Sequence, residues 1–222
     1  MSTLGASTVS RSRLTIPFYG TAFADVVPET GGPPAVGAKL TLTLAGLAAA
    51  MTVTRSGTDS PDSPHVTLVS GAGWDKPLRA RSYQADGGVK LSTILRDLAT
   101  DTGEQFAALP PDRVVGTAYF RPANSIAAPS TGRMALSALW RRGLVPPWWV
   151  DGPGLTRFDA RPSGAATGRA DVMRRDASVG LRVVGVDAPA GFLPGTSIEG
   201  VITRRLVVRE AAHGLTLEAW SL

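Results

Sequence analysis

The chain has 222 residues, with 23 Lys+Arg against 18 Asp+Glu and a formal net charge of +5, a length suited to one large β-rich domain or two small modules. It has no cysteine, which excludes disulfide staples, thiol nucleophiles and thiolate metal sites, and its two histidines, His65 and His213, stand outside any zinc-ligand spacing, so neither metal nor cofactor is expected. The arginines are spread in ones and twos, as at Arg79 and Arg81, Arg141 and Arg142, Arg174 and Arg175, and Arg204 and Arg205, rather than packed into a basic helix that would read nucleic acid.

Residues 1 to 13 are small and polar and predict a flexible arm. Nothing in this start resembles the basic, then apolar, layout of an export signal. "RLTIPFYGTAFADVV" then alternates like a strand and meets a Pro/Gly-rich break from Gly31 to Gly37. From Lys39 to Leu44, Leu40, Leu42 and Leu44 share one face and Thr41 and Thr43 the other, a period of two that predicts a half-buried strand. The apolar run that follows is broken by threonine and glycine and is too short to cross a bilayer, so no membrane-spanning segment is expected. "SGTDSPDSP" is a loop; Asp59 and Asp62 within it lack the calcium-loop spacing and suit an Asp/Pro turn. "HVTLVSG" resumes as strand. Such a meander buries nothing while its strands stay apart, so residues 14 to 90 are expected to close into a barrel-like β domain.

Residues 91 to 168 predict a helix and β-hairpin module. A tight turn at Gly87 and Gly88 leads into a helix whose Ile94, Leu95, Leu98 and Ala99 form one apolar stripe, with Ser92 as the N-terminal cap and Gly103 as the stop. That stripe is a packing or interface surface; Ser92 has no partner base that would make it a nucleophile. A second helix carries Met134, Leu136, Leu139 and Trp140 and ends at Gly143. Trp148 to Val150 and Leu155 to Phe158 pair as a hairpin across an Asp-Gly-Pro-Gly turn, with Trp148 and Trp149 on opposite faces, one in the core and one packing on a helix or meeting a partner.

After a loop from Pro162 to Gly168, residues 169 to 222 read as a C-terminal β segment completing a barrel or sheet. Along a strand from Val201 to Arg209, Arg205 and Arg209 share a face with Val201 and Val207 and alternate with Arg204, a mixed face that suits an exposed flank or subunit contact. The last strand ends near Trp220. The whole is α+β but mainly β, with small β-barrel or sheet modules and two or three packed helices. The acids Glu104, Asp151, Asp159, Asp187 and Glu199 show no spacing that predicts a catalytic pair, and neither "GAATGRA" nor "GAGWDK" is a phosphate loop. No catalytic residue is assigned and no enzyme is expected.

This order of elements, with "GAGWDKPLRARSYQADGGVKLSTILRDLATDTGE", "WWVDGPGLTRF" and "FLPGTSIEGVITRRLVVRE" as its landmarks, resembles the tail or baseplate hub-type proteins of bacteriophages. The resemblance implies a virion tail or baseplate component, assembled in the host cytoplasm, that joins tail tube to spike or wedge proteins. It implies a homo-oligomer, commonly a trimeric ring, with non-specific contact to passing DNA. Ile94, Leu95, Leu98, Trp140, Trp148, Trp149 and Trp220 become interface or packing candidates, and Arg204, Arg205 and Arg209 lumen or interface candidates. The competing expectations are a tail-associated glycan- or peptidoglycan-processing module, with a tryptophan beside two convergent acids, and a non-catalytic DNA or protein adaptor.

Overall fold

The computed structural model describes residues 2–29, 32–60, 63–125, 130–186, 188–211 and 214–221. Asp62, Asp187 and His213, and the side chain of Asp59, lie outside that set. Six strands, β1 (Thr3–Leu4), β2 (Ser7–Pro17), β3 (Phe23–Pro28), β4 (Lys39–Leu44), β5 (Leu47–Ser60) and β6 (Ser63–Ser70), close into an antiparallel barrel in the order β1-β4-β5-β6-β3-β2, with β2 returning to β1. The period of two works as expected: Leu42 and Leu44 of β4 are fully enclosed while Thr41 faces water.

The expected flexible arm is instead the start of this barrel. Strand β2 begins at Ser7, and its buried positions, Val9, Ser12, Leu14 and Ile16, change phase across an irregularity between Val9 and Arg11 that hides the alternation from a sequence reading. These polar residues belong to a strand that has partners on both sides, so polarity does not imply disorder.

Beyond the barrel come β7 (Arg81–Lys90), α1 (Leu91–Thr102), β8 (Val114–Arg121), α2 (Gly132–Arg141), and the short hairpin β9 (Trp149–Val150) and β10 (Thr156–Arg157). β7 pairs only with β8, so it stands with the helices rather than with the barrel. Gly87 and Gly88 do not make the expected turn. They lie inside β7 where the register slips between Gln84 and Val89, and Gly88 adopts φ +90, where a Cβ would meet the Val114 side chain at 2.3 Å.

The C-terminal part contributes β11 (Gly164–Ala165), β12 (Ala170–Asp176), β13 (Leu181–Val186), β14 (Thr196–Ile198), β15 (Val201–Ile202), β16 (Arg205–Ala211) and β17 (Gly214–Trp220). The strand expected from Val201 to Arg209 is broken at Thr203 and Arg204, where buried Thr203 exchanges backbone bonds with Gly195 and Thr196. β16 adds to β2 along Ser12 to Pro17, and β17, β13 and β12 follow, so one continuous sheet of ten strands runs from the barrel to the C-terminal segment. β2 therefore serves two neighbours on one edge, β1 with its first residues and β16 with its last.

Two cores result. The barrel core of Leu14, Leu42, Leu44 and Leu68 continues under the extension through Leu206, Val208, Leu217 and Phe192. The second core gathers Trp74, Ile94, Leu95, Leu98, Leu136, Leu139 and Trp148. Successive residues of β6 feed one each, Leu68 inward to the barrel and Val69 outward to the helices.

Candidate functional site

The apolar stripe of α1 is satisfied within this chain: Ile94, Leu95 and Leu98 are buried against Leu136 and Leu139 of α2 and against Trp74 and Trp148. Trp148 is the core member of the tryptophan pair, 1% exposed, its ring 5.3 Å from that of Trp74. Ser92 is not the cap. Lys90 holds the cap position without a side-chain bond, and Asp112 from the following loop accepts both the Ser92 amide at 2.9 Å and its hydroxyl at 2.9 Å. Those bonds hold the Asp112 carboxyl below its usual range. At the other end Gly103 closes the helix in the left-handed region, its amide donating to Ala99, as its position predicts. In α2, Met134 points outward and only Leu136 and Leu139 of the expected apolar set are fully buried.

Just beyond Gly103, Glu104 carries a buried carboxylate into the seam between barrel and helices. The Gly73 amide donates to Oε1, and Oε2 has no partner among the described residues. Gly71 leaves room for it, since a Cβ there would sit 2.7 Å from either oxygen. Burial pushes this carboxyl up to about 7, against the opposing pull of the Gly73, Ala72 and Trp74 amides and the charge of Lys39. The folded chain therefore keeps the proton to about pH 7, while an unfolded chain releases it near 4.5. Between those values the native state binds the extra proton, so stability falls as pH rises and levels off above 7. The fall should be on the order of 3 kcal/mol at most, and urea unfolding between pH 5 and 8 should show it in the native chain and not in Glu104→Gln.

Trp140, Trp148, Trp149 and Arg204 meet the loop between β2 and β3. The Gly20 amide bonds the Trp148 carbonyl at 2.6 Å and Gly20 bridges to Trp149, which places Phe18 and Tyr19 beside the tryptophan hairpin. Phe18 meets Tyr19 edge-on at 4.6 Å, and Tyr19 meets Trp140 of α2 at 5.4 Å. Arginines lie on these rings: Arg161 over Trp149 at 4.6 Å, Arg204 over Phe18 at 5.0 Å and, one residue on, Arg205 over Trp220 at 4.4 Å. The rings are half-buried and Arg204 and Arg205 exposed, so the belt faces outward. Arg161 is only 8% exposed, and burial lowers its guanidinium to about 10, which leaves it charged. None of these three arginines has a carboxylate partner among the described residues.

Arg209 does not join them. Its Nε bonds Glu218 at 2.7 Å, on the sheet face that also holds Arg13, Asp25 and His65. Several described acids are likewise engaged within the chain: Asp151 and Asp159 by Arg157, Glu199 by Arg175 and Arg182, Asp101 by Arg121 and Arg81. Among the described residues no group of three His, Asp or Glu gathers as metal ligands. Sequence reasoning missed Phe18, Arg161 and the Glu104 seat. The glycines of "GAGW" were the visible signal for the last, because Gly71 and Gly73 are the positions the carboxylate and the end of α1 approach most closely.

No family model and no curated protein matches the sequence. Among solved structures the chain is similar to the 43 kDa tail protein of prophage MuSo2 from Shewanella oneidensis, at 10% identity and a TM-score of 0.56 over 100% of this chain and 96% of that one. It is also similar to an E. coli component of the type VI secretion system that itself resembles the T4 bacteriophage tail proteins gp27 and gp5, at 11% identity and 0.61 over 100% of this chain and 77% of that one. A tail protein from Neisseria meningitidis MC58 matches at 11% identity and 0.59, over 99% of this chain and 94% of that one. The fold is thus one found in phage-type tail proteins.

Proposed function

We propose that this chain is a structural component of a phage-type tail, a baseplate hub subunit that joins tube to spike or to surrounding baseplate proteins through subunit interfaces in a homo-oligomeric ring. The observation that carries this reading is the end-to-end fold likeness to three proteins of tail and secretion machines. The surface agrees with it. β12 is the last strand of the extended sheet, with an edge unpaired among the described residues and exposed Met173, and a free edge is a pairing surface for another chain. Three of the acids a glycan-processing cleft could draw on, Asp151, Asp159 and Glu199, are instead paired with arginines of the same chain, which favours the structural role.

Light-scattering mass of the purified protein, alone and with the products of neighbouring genes, tests this. A ring of three or more 23.1 kDa subunits is expected. A chain that stays monomeric and binds none of those products, or one that clears peptidoglycan, overturns the proposal.

A further inference from the structure

We propose that the belt formed by Arg161 on Trp149, Arg204 on Phe18 and Arg205 on Trp220 receives an acidic segment of a different protein, each guanidinium taking a carboxylate. This rests on the assembly reading above, and it names the chemistry of the partner. A guanidinium nine-tenths buried, with its Nε unbonded and no counter-ion among the described residues, is an unfavourable arrangement in isolation. The Trp149 ring, 4.6 Å from the guanidinium, offsets part of that cost, and a guanidinium offers paired N–H groups to a planar carboxylate.

Two observations select a carboxylate over a nucleic-acid backbone. Arg161 is only 8% exposed, which favours the narrow tip of an Asp or Glu side chain over a bulky phosphodiester chain. The second cation on the Trp149 ring, Arg157, lies beside both Asp151 and Asp159, so with Arg161 the charges at this end of the belt balance and there is no run of cations of the kind a polyanion needs. At the other end Arg204 and Arg205 are exposed and unpaired among the described residues, and the rings beneath them supply the rigid aromatic area from which protein interfaces draw most of their affinity.

The test uses the whole chain and a short fluorescent glutamate-rich peptide, followed by anisotropy, with the glutamine counterpart and a short DNA duplex as competitors. The glutamate peptide should bind, more weakly as salt rises, and the glutamine peptide should not. Arg161→Gln should weaken binding about tenfold or more. The exposed double variant Arg204→Gln, Arg205→Gln should also weaken it, which guards against an Arg161 effect that is only misfolding. Equal binding of both peptides, affinity unchanged in both variants, or displacement by DNA that the same variants abolish would each overturn the proposal. So would loss of self-association in the double variant, which would make the occupant a second copy of this chain. Mass is measured on the same samples, so a monomer that still binds the peptide would sink the ring and spare the belt.

Discussion

Gly73→Ala should leave little folded protein. A Cβ at this position would lie 2.1 Å from the Thr102 carbonyl oxygen and 3.1 Å from its carbon, and both are backbone atoms. Thr102 is the last residue of α1, a helix pinned by Ile94, Leu95 and Leu98 in the second core, so it cannot retreat without unpacking them. Gly73 cannot retreat either, because its amide is the donor to Glu104. The cost should exceed about 4 kcal/mol, a large part of the stability of an ordinary domain. Soluble yield and urea unfolding would measure it. Gly87→Ala is the control: no atom lies within 4 Å of its added Cβ, and a change within about 0.5 kcal/mol is expected. If Gly73→Ala matched that control, α1 would not be seated on the 71–74 loop as described.

Trp74→Ala should cost about 3 to 5 kcal/mol. The indole is 1% exposed and packs against Trp148 at 5.3 Å and Phe106 at 6.1 Å. Its Nε1 donates to Thr156 Oγ1 at 3.0 Å, so truncation opens a cavity and also strips a buried hydroxyl of its partner. Trp74→Phe refills most of the space and loses the bond, and its cost should fall clearly below that of alanine. Because Trp74 joins the loop after β6 to the β9–β10 hairpin, tryptophan fluorescence and far-ultraviolet dichroism should report one shared, earlier transition in the alanine variant. Two separated transitions would show that barrel and helices do not unfold as one unit.

Much of this architecture was legible from local pattern. Leu42 and Leu44 are buried at a spacing of two, and Ile94, Leu95 and Leu98 at helical spacing. Gly103 ends its helix, and the tryptophan pair divides between core and surface as alternation demands. The failures also have a common cause. The polarity of residues 1 to 13 predicts an arm, yet the partners of Ser7 to Arg13 are β1, β3 and, for Ser12 and Arg13, β16, nearly two hundred residues away. Ser92 has the local position of a cap, but Asp112, which bonds it, is twenty residues further along. The stripe of α1 suits either this chain or another subunit, and Leu136, Leu139 and Trp148 close it within this chain.

The sequence by itself determined the classes of element, because period two and period 3.6 are properties of neighbouring residues along one chain. It also settled the absence of thiol chemistry, which composition alone decides. Only the tertiary structure decided that β2 is shared between a closed barrel and an extending sheet, and which charges are uncompensated. Arg161, Arg204, Arg205 and Arg209 look alike in the sequence. Burial, an aromatic ring beneath the guanidinium and the presence or absence of a nearby carboxylate separate them, and these depend on residues brought close by folding, since desolvation and Coulomb energies follow distance in space and not along the chain.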